Sequence, residues 1–327
     1  MKDADFLFLT ALLRTRETSM LKSDKIDRML DAQGADDAAK LLIDCGYPDM
    51  SGMNADMVEV VLQKRRADIY YELSAYEYAR ALLDLFRAKY DYHNAKTLVK
   101  AAGAGIDATR LLSASGRIDA AAMNEAFAAD RVGDLPPPVA EAISGAAGIL
   151  SRTGSPQLAD IEIDKAYYAE LASLVKTMKN DFIAGYISLL IDSANLRIAV
   201  RSSRTGRDGA FLQSALIPGG NVGIEQIVAA YNDGALDAFA GDRLAQAVGL
   251  GMEIMRGGSQ TQFERACDDA VLLYVTDTAF ISFGPAPVVA YLAKLEWEIT
   301  VVRMILTGKM TGISKDVIRE RLRECHV

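Results

Sequence analysis

Two stretches of this chain repeat each other 101 positions apart, and this repeat limits the architectures that the chain can adopt. Residues 90–100 and 191–201 agree at four polar positions within eleven residues, and the apolar Val99 falls on Val200. The distance exceeds the periods of common solenoid repeats. It predicts that a structural unit of about 100 residues occurs more than once. The matched polar pairs are Asp91 with Asp192, Asn94 with Asn195, Lys96 with Arg197, and Lys100 with Arg201.

Apolar residues return at intervals of three and four along most of the chain. Val58, Leu62 and Ile69 show this spacing, and Leu82 and Phe86 continue it. Such spacing places apolar side chains on one face of an α-helix, whereas strict alternation, the pattern of a half-buried strand, is rare here. The sequence therefore predicts an all-α fold.

Prolines and short polar residues mark the ends of these helices. The 8 prolines are few and cluster at 136–138 and 284–287, where we expect loops between long helices. Ser314, followed by Asp316, has the pattern of an N-cap with an acid in the first turn, and Gly312 would close the preceding helix.

A third and weaker copy of the repeat lies near the C-terminus. Residues 301–303 fall 102 positions beyond 199–201, and the acidic residues nearby are Glu296 and Glu298. We therefore predict three pseudo-repeated helical domains, each of about 100 residues. Their predicted limits are 1–107, 108–208 and 209–327.

The repeated Asp and Asn lie three residues apart, on one face of a helix. The stretch before Asp192 is apolar almost all round, which predicts a buried helix. Two interpretations stay open at this point. The pair forms a hydrogen-bonded polar lock between helices, as buried polar groups require, or it lies at a helix end that reaches solvent.

The charge balance argues against nucleic acid and lipid as partners. The net charge is −8 and the isoelectric point about 5.0, whereas nucleic-acid-binding domains carry basic patches. No run of basic residues is longer than a pair, such as Arg65-Arg66. An acidic surface is also repelled by anionic head groups. These features favour a protein partner or reflect solubility alone.

Cysteine usage and hydropathy predict a reduced, cytosolic chain without a membrane span. The three cysteines are far apart and lack CxxC spacing, which is typical of reduced proteins. The best apolar stretch, 182–191, stops at Asp192, and the uncharged stretch 278–293 contains glycine and proline. A transmembrane helix needs about 20 apolar residues, and no signal peptide is expected at the N-terminus. The cysteines are Cys45, Cys267 and Cys325.

The sequence offers little material for catalysis. His93 and His326 are the only histidines; His93 has no counterpart in the second repeat, and Cys325 beside His326 makes a poor metal site on a tail. No P-loop and no strand-linked GxGxxG occurs. We predict no catalytic residue, no cofactor site and no metal site, and the sequence leaves the partner-binding residues unknown.

Three weaker features have competing interpretations. The segment 218–221 (Pro-Gly-Gly-Asn) is a turn between helices or a backbone cradle for an anion. The run Cys267-Asp268-Asp269 resembles part of the aspartate-rich motif of all-α prenyl-transferring enzymes, but no further acid follows one turn later. Trp297, the only tryptophan, is a core anchor or an interface anchor.

Several segments, in order and over nearly the whole chain, resemble the family of C subunits of V/A-type ATPases, which is related to the d subunit of the eukaryotic vacuolar enzyme. The most specific segments lie near the C-terminus. Ala95 and Trp297 depart from the family pattern. The segments are 14–17 with 20–21, 45–47, 91–96 and 192–197, 216–220, 283–287, 291–294, 298–299 with 303–306, 308–309, 312–313 and 318–322.

This resemblance implies a funnel of three helical domains that has no active site. One side would receive the end of the rotor axle, which the D-type and F-type central-stalk subunits form, and the other would rest on the ring of membrane proteolipids. The protein would pass torque between axle and ring during ion transport or ATP synthesis. It would lie peripherally at the cytoplasmic face, without lipid insertion, and we expect the isolated chain to be a monomer.

Two other functions fit the same composition. One is an unrelated all-helical adaptor or scaffold. The other is an all-α enzyme with a carboxylate-bound metal at Asp268 and Asp269, for which magnesium would stabilise the fold.

Overall fold

The computed structural model describes residues 3–241 and 243–322 of the 327-residue chain. Within these residues the chain forms fifteen α-helices and six short 3-10 helices, and no β-strand. The all-α prediction is confirmed. The α-helices are α1 (Leu7–Glu17), α2 (Ser23–Asp31), α3 (Ala35–Lys40), α4 (Ala55–Ser74), α5 (Glu77–Ala104), α6 (Ala120–Ala128), α7 (Pro137–Thr153), α8 (Pro156–Met178), α9 (Asp181–Arg204), α10 (Gly209–Ala215), α11 (Ile224–Asn232), α12 (Ala245–Ile254), α13 (Gln260–Thr276), α14 (Pro285–Met310) and α15 (Lys315–Arg321). The 3-10 helices are Asp3–Phe6, Ile43–Cys45, Thr109–Leu111, Val132–Asp134, Asp237–Phe239 and Asp277–Phe280.

Local sequence determines where several helices begin and end. Asn54 and Asn180 cap α4 and α9, each accepting a hydrogen bond from the amide three residues later. Ser314 caps α15 as predicted. Gly312, two residues after α14, has φ +72°, in the left-handed region that favours glycine.

The proline clusters begin helices instead of lying wholly in loops. Pro137 is the first residue of α7, and Pro285 is the first residue of α14. The expectation of loops was therefore wrong for residues 137–138 and 285–287, which lie in helices. Proline is favoured at a first helical position, because its φ suits the helix and its missing amide would have no partner there.

Buried apolar side chains form three clusters. The first cluster joins α1–α4 and the start of α5 to α14 and α15, with contributions from α8, α9 and α13. The second lies among α9–α13. The third joins the second half of α5 to α6, α7 and α8. The two ends of the chain therefore share one core.

Helix α14 runs through the largest of these clusters. Every residue from 285 to 292 is buried, and burial continues on most positions to Leu306. A helix that is apolar on all sides has to be covered on all sides. Helices α1, α3, α4, α5, α9 and α13 all pack against it.

Helix α9 is apolar for a related reason. By length and composition it is the one described helix that could cross a membrane. In the fold, 61% of the residues in its most apolar 18-residue window are buried inside the protein. It supplies side chains to both the first and the second cluster, so its hydropathy is explained by packing against neighbouring helices.

The predicted domain limits lie in connections between helices. The limit at 107/108 falls between α5 and α6, and the limit at 208/209 falls between α9 and α10. The clusters do not coincide with three consecutive segments, since the first cluster combines both ends of the chain. The division into 1–107, 108–208 and 209–327 and the funnel arrangement stay predictions.

Candidate functional site

The repeated Asp and Asn of α5 are buried and bind the segment that follows this helix. Asn94 Nδ2 donates to the Ser113 carbonyl at 2.9 Å, and its Oδ1 accepts from the Ser113 amide at 2.8 Å. Asp91 Oδ1 accepts from the amides of Arg117 at 2.9 Å and Ile118 at 3.1 Å. Its Oδ2 accepts from Arg117 Nε at 2.6 Å. We name this arrangement the α5 lock.

Helix α9 makes the same arrangement with its own downstream segment. Asn195 Nδ2 donates to the Ile217 carbonyl, and its Oδ1 accepts from the Ile217 amide, both at 2.8 Å. Asp192 Oδ2 accepts from Asn221 N at 3.0 Å and Nδ2 at 2.8 Å, and Oδ1 accepts from the Val222 amide at 3.2 Å. We name this the α9 lock. All four side chains are buried and hydrogen-bonded, so the wetted helix end is wrong. The polar lock is correct except in its partner, because each pair binds a non-helical segment downstream of its own helix and not a second helix.

Each lock requires a glycine at the same place in the bound segment. A Cβ atom on Gly116 would lie 2.2 Å from Asp91 Oδ1, and one on Gly220 would lie 2.1 Å from Asp192 Oδ1. Both distances are far inside van der Waals contact. The glycines are needed because the carboxylate approaches the backbone closely.

The two aspartates differ in their charge partners. Asp91 is paired with Arg117, which also binds Glu170 at 2.6 Å, whereas neutral donors of Asn221 and Val222 hold Asp192. Burial raises the pKa of both Asp91 and Asp192, and the hydrogen bonds that they accept oppose the rise.

A third buried acid on α14 binds a segment from the other end of the chain. Glu298 Oε2 accepts from the Leu21 amide at 2.7 Å. Its Oε1 accepts from the Tyr47 hydroxyl at 2.8 Å and from Arg65 Nη2 at 3.1 Å. This carboxylate joins residues that are more than 230 positions apart in sequence, and so ties the N-terminal helices to α14.

Glu296, one half-turn earlier, joins three helices. Its Oε1 accepts from Arg66 at 2.8 Å and Tyr70 at 2.6 Å, both on α4. Its Oε2 accepts from Lys89 at 2.8 Å and Tyr90 at 2.6 Å, both on α5. Burial alone raises the pKa of Glu296, but the charges of Lys89 and Arg66 and the hydrogen bonds outweigh it and lower the pKa to about 2. We name these five residues the Glu296 hub.

Ion pairs also link each long helix to a second helix of its own cluster. On α5, Lys96 binds Asp164 at 2.5 Å and Lys100 binds Asp160 at 3.2 Å. On α9, Arg197 binds both Glu264 at 2.6 Å and Asp268 at 2.7 Å. On α14, Arg303 binds Glu59 at 2.7 Å.

A cavity of about 340 Å³ lies where α5, α8, α9, α13 and α14 meet. Its wall combines apolar and aromatic side chains with both signs of charge. Trp297 contributes to this wall, and its indole N–H has no hydrogen-bond partner among the described residues. The charged residues of the wall are Lys89, Arg197, Asp268 and Glu296.

The structure separates the residues of the Cys267-Asp268-Asp269 run. Cys267 is buried, and burial raises the pKa of its thiol to about 12. Asp268 pairs with Arg197, and Asp269 lies 3.5 Å from Arg265 on the same helix. Each carboxylate is thus engaged by an arginine. Among the residues described, no group of three or more histidine, cysteine or acidic side chains is arranged to hold a metal ion.

The other candidates are placed as follows. The segment 218–221 is a connection between α10 and α11, and amides at its end bind a carboxylate of the chain itself, that of Asp192. His93 is exposed on α5. Trp297 is buried, which favours the core-anchor interpretation. Cys325 and His326 lie outside the described residues.

Sequence reasoning missed the partners of the Glu296 hub and of Glu298. Glu296 and Glu298 were noticed as acids near the third copy of the repeat, but their pairing with Tyr47, Arg65 and Arg66 was not predicted. A usable signal was the pair Arg65-Arg66 within an apolar helical pattern, because charged residues in such positions need partners.

Comparison with known proteins gives one consistent result. Residues 9–321 match the family described as ATP synthase (C/AC39) subunit. The C subunit of the A-type ATP synthase of Halobacterium salinarum is 27% identical over 98% of this chain and 97% of its own length. The C subunit of the V-type sodium ATPase of Enterococcus hirae is 20% identical, and that of the V-type ATP synthase of Thermus thermophilus is 22% identical, each over 97% of this chain and 98% of its own length.

Proposed function

Because the chain belongs to the ATP synthase (C/AC39) subunit family, we propose that it couples the rotor axle of a V/A-type ATPase to the membrane proteolipid ring. Membership makes it part of a rotary ATPase complex, as an accessory component and not the catalytic one. In the proposed role it transmits torque between axle and ring, either in ATP-driven ion transport or in ATP synthesis. This role would need no cofactor and no catalytic residue of its own.

The observation that supports this proposal is the buried charged network that ties the two ends of the chain together within the first cluster. The Glu296 hub connects α14 to α4 and α5, and Glu298 connects it to the segments around Leu21 and Tyr47. Buried charged networks of this kind hold their partners in one geometry. A part that transmits torque has to keep its shape under load, and in the proposed role these contacts would hold the N-terminal helices and α14 together.

The proposed partners are the D-type and F-type axle subunits and the proteolipid ring. The chain would lie peripherally at the cytoplasmic face and bind the ring through protein contacts, without inserting into lipid. The acidic surface, with net charge −8, is consistent with a part held by protein contacts and not by anionic lipid. We expect the isolated chain to be a monomer, with a mass near 35.4 kDa in solution at all concentrations.

The first test is a pull-down of the tagged chain from gently solubilised native membranes, with mass spectrometry of the partners. We expect to recover the axle subunits, the catalytic ATPase subunits and the proteolipid. A matched extract in which ATP hydrolysis shows that the ATPase is intact serves as the control. Recovery of the bait alone from that extract would overturn the proposal and favour an adaptor.

A second test separates coupling from mere association. Complexes would be reconstituted into vesicles with and without this chain. We expect ATP hydrolysis in both preparations but ATP-driven ion transport only when the chain is present. Equal transport in the two preparations would show that the chain does not couple axle to ring.

A further inference from the structure

The end of α9 carries a concentration of positive charge in an otherwise acidic protein. Arg197, Arg201 and Arg204 are spaced by four and three residues, which places them on one face of the helix. Both Arg201 and Arg204 are exposed. In a chain of net charge −8, this stripe of arginines needs an explanation.

These arginines border a groove of about 280 Å³ between the end of α9 and the start of α13. Val200 and Phe263, both buried, contribute apolar surface to it. The side chains of Gln260 and Glu264 border it on the α13 side. We name this space the α9 groove. Its volume can hold a single side chain but not a folded domain.

The ion pairs of α9 leave one of the arginines without a partner. On α5, Lys96 and Lys100 each take one acid of α8. On α9, Arg197 binds two acids of α13, Glu264 and Asp268. The side chain of Arg201 therefore makes no hydrogen bond or ion pair with the part of the chain that the structure describes. The guanidinium of Arg204 binds the neutral side-chain oxygen of Gln260.

Compensation of the helix dipole does not require arginines at this helix end. Basic residues stabilise the C-terminal end of a helix in general, but the equivalent end of α5 has none in its last turn. There Gly103 and Ala104 stand in place of Arg204 and Thr205, and the corresponding groove is mainly apolar. The C-terminal end of α5 therefore forms in the same fold without a row of arginines.

The start of α13 adds a second feature that favours an anion. This 17-residue helix has no acidic residue in its first turn, and the side chain of its N-cap, Ser259, makes no capping hydrogen bond. Gln260, its first residue, borders the groove. The positive end of a helix attracts negative charge through its unpaired amides.

We propose that the α9 groove is a docking site for an acidic side chain, Glu or Asp, of a neighbouring protein in the rotary complex. This inference rests on the proposed function, since it needs a rotor partner. Arginine forms planar two-point hydrogen bonds with carboxylates. A carboxylate of a protein partner is favoured over a lipid phosphate, because a chain of net charge −8 is repelled by anionic head groups.

Photo-crosslinking in the assembled complex tests this directly. The photoreactive residue p-benzoylphenylalanine would replace Arg201, with replacement of Lys100 as the matched control at the equivalent place on α5. We expect adducts from position 201 that map to a protein segment rich in Glu and Asp, and a different adduct pattern from position 100. Adducts to lipid, adducts to a segment without acidic residues, or no adduct at 201 would each overturn the docking site.

Charge reversal gives an independent measurement on the purified complex. The double variant Arg201→Glu and Arg204→Glu should weaken retention of the chain in the complex by roughly tenfold and lower the salt concentration that releases it. Lys100→Glu, a charge reversal at the equivalent exposed position of α5, is the control and should change retention less than about twofold. Unchanged retention of the double variant would contradict the proposal.

The two proposals fail in different ways. If the unmodified chain does not co-purify with an intact ATPase, the coupling function itself is wrong. If it does co-purify but the variants and the photoadducts show no acidic contact at position 201, only the docking site is wrong. A variant that unfolds is recognised by its thermal melting curve and replaced by Arg201→Gln, which removes the charge alone and is expected to weaken retention in the same direction.

Discussion

The α5 lock and the α9 lock perform the same structural task with different charge chemistry. In both, an asparagine binds one backbone residue through its amide and an aspartate binds a further backbone segment past a glycine. Asp91 has a positive partner in Arg117, whereas Asp192 is held by the neutral donors of Asn221 and Val222.

This difference shows which part of the lock the fold requires. The backbone amides and the close-approaching glycine occur in both locks, whereas the arginine occurs in one. A carboxylate held by two backbone amides is therefore the part that both locks share. In the α5 lock, Arg117 takes the place of the neutral side-chain donor found in the α9 lock. Substitutions in and around the two locks test this distinction.

The glycine requirement should be equal in the two locks. Gly116→Ala and Gly220→Ala each place a Cβ about 2 Å from a carboxylate oxygen, which must displace the lock. We expect each variant to lose about 4 kcal/mol of unfolding free energy, from overpacking together with broken buried hydrogen bonds. Urea unfolding monitored by circular dichroism measures this loss.

Gly133→Ala is the control for these variants, because an added Cβ there meets no atom within 4 Å. We expect it to change the unfolding free energy by less than about 1 kcal/mol. A Gly220→Ala variant as stable as Gly133→Ala would show that the α9 lock tolerates displacement and that the two locks are not equivalent.

Removal of the side-chain donor to the aspartate should lower the unfolding free energy more in the α5 lock than in the α9 lock. Arg117→Met leaves the buried carboxylates of Asp91 and Glu170 without their cation, and we expect a loss of about 3 kcal/mol. Asn221→Ala removes one neutral donor and keeps both amides on Asp192, so about 1 kcal/mol is expected. The same unfolding assay compares the two, and equal losses would show that the cation of the α5 lock contributes no more than the neutral donor of the α9 lock.

The pH dependence of stability should distinguish the locks from the Glu296 hub. The pKa of Glu296 is lowered to about 2, so its ionised form stabilises the fold above the pKa of the unfolded chain, about 4.3. This stabilisation is lost as pH falls toward 2. The advantage of wild type over Glu296→Gln should be on the order of 3 kcal/mol at neutral pH and clearly smaller at about pH 3.

The lock aspartates should show the opposite trend. Burial raises the pKa of Asp192, so the folded state holds its proton more tightly than the unfolded chain does. The stability that this group contributes falls as pH rises from about 4. The advantage of wild type over Asp192→Asn should therefore shrink over that range. Unfolding curves at several pH values test both trends, and parallel behaviour of the two variants would refute the assignment.

The smallest effect concerns the exposed basic residues beyond the locks. Lys100→Ala removes a partly exposed ion pair with Asp160 and should lower the unfolding free energy by up to about 0.5 kcal/mol. Arg201→Ala removes no ion pair in the described part of the chain and should leave stability unchanged within about 0.5 kcal/mol. A measurable loss in Arg201→Ala, found by differential scanning calorimetry, would reveal an internal role for this arginine.

Local sequence predicted much of this structure, because helix formation and helix ends depend on residues that are close together in the chain. The apolar spacing indicated the helical class, and Ser314 and Gly312 marked the boundary between α14 and α15. The repeat located both locks, because Asp, Asn and the basic residues that follow keep the same spacing. Sequence could not determine whether the pair was buried, since burial depends on which helices cover the same face.

The sequence by itself determined the all-α class, the repeated lock residues and the resemblance that identifies the family, because each is carried by residues close together in the chain. Only the tertiary structure decided that Glu296 and Glu298 bind residues of the first ninety positions. It also decided that Arg197 binds two acids of α13, while Arg201 has no partner among the described residues. The physical reason is that charge pairing depends on distance in space. Residues more than 200 positions apart come within 3 Å only after the cores have packed.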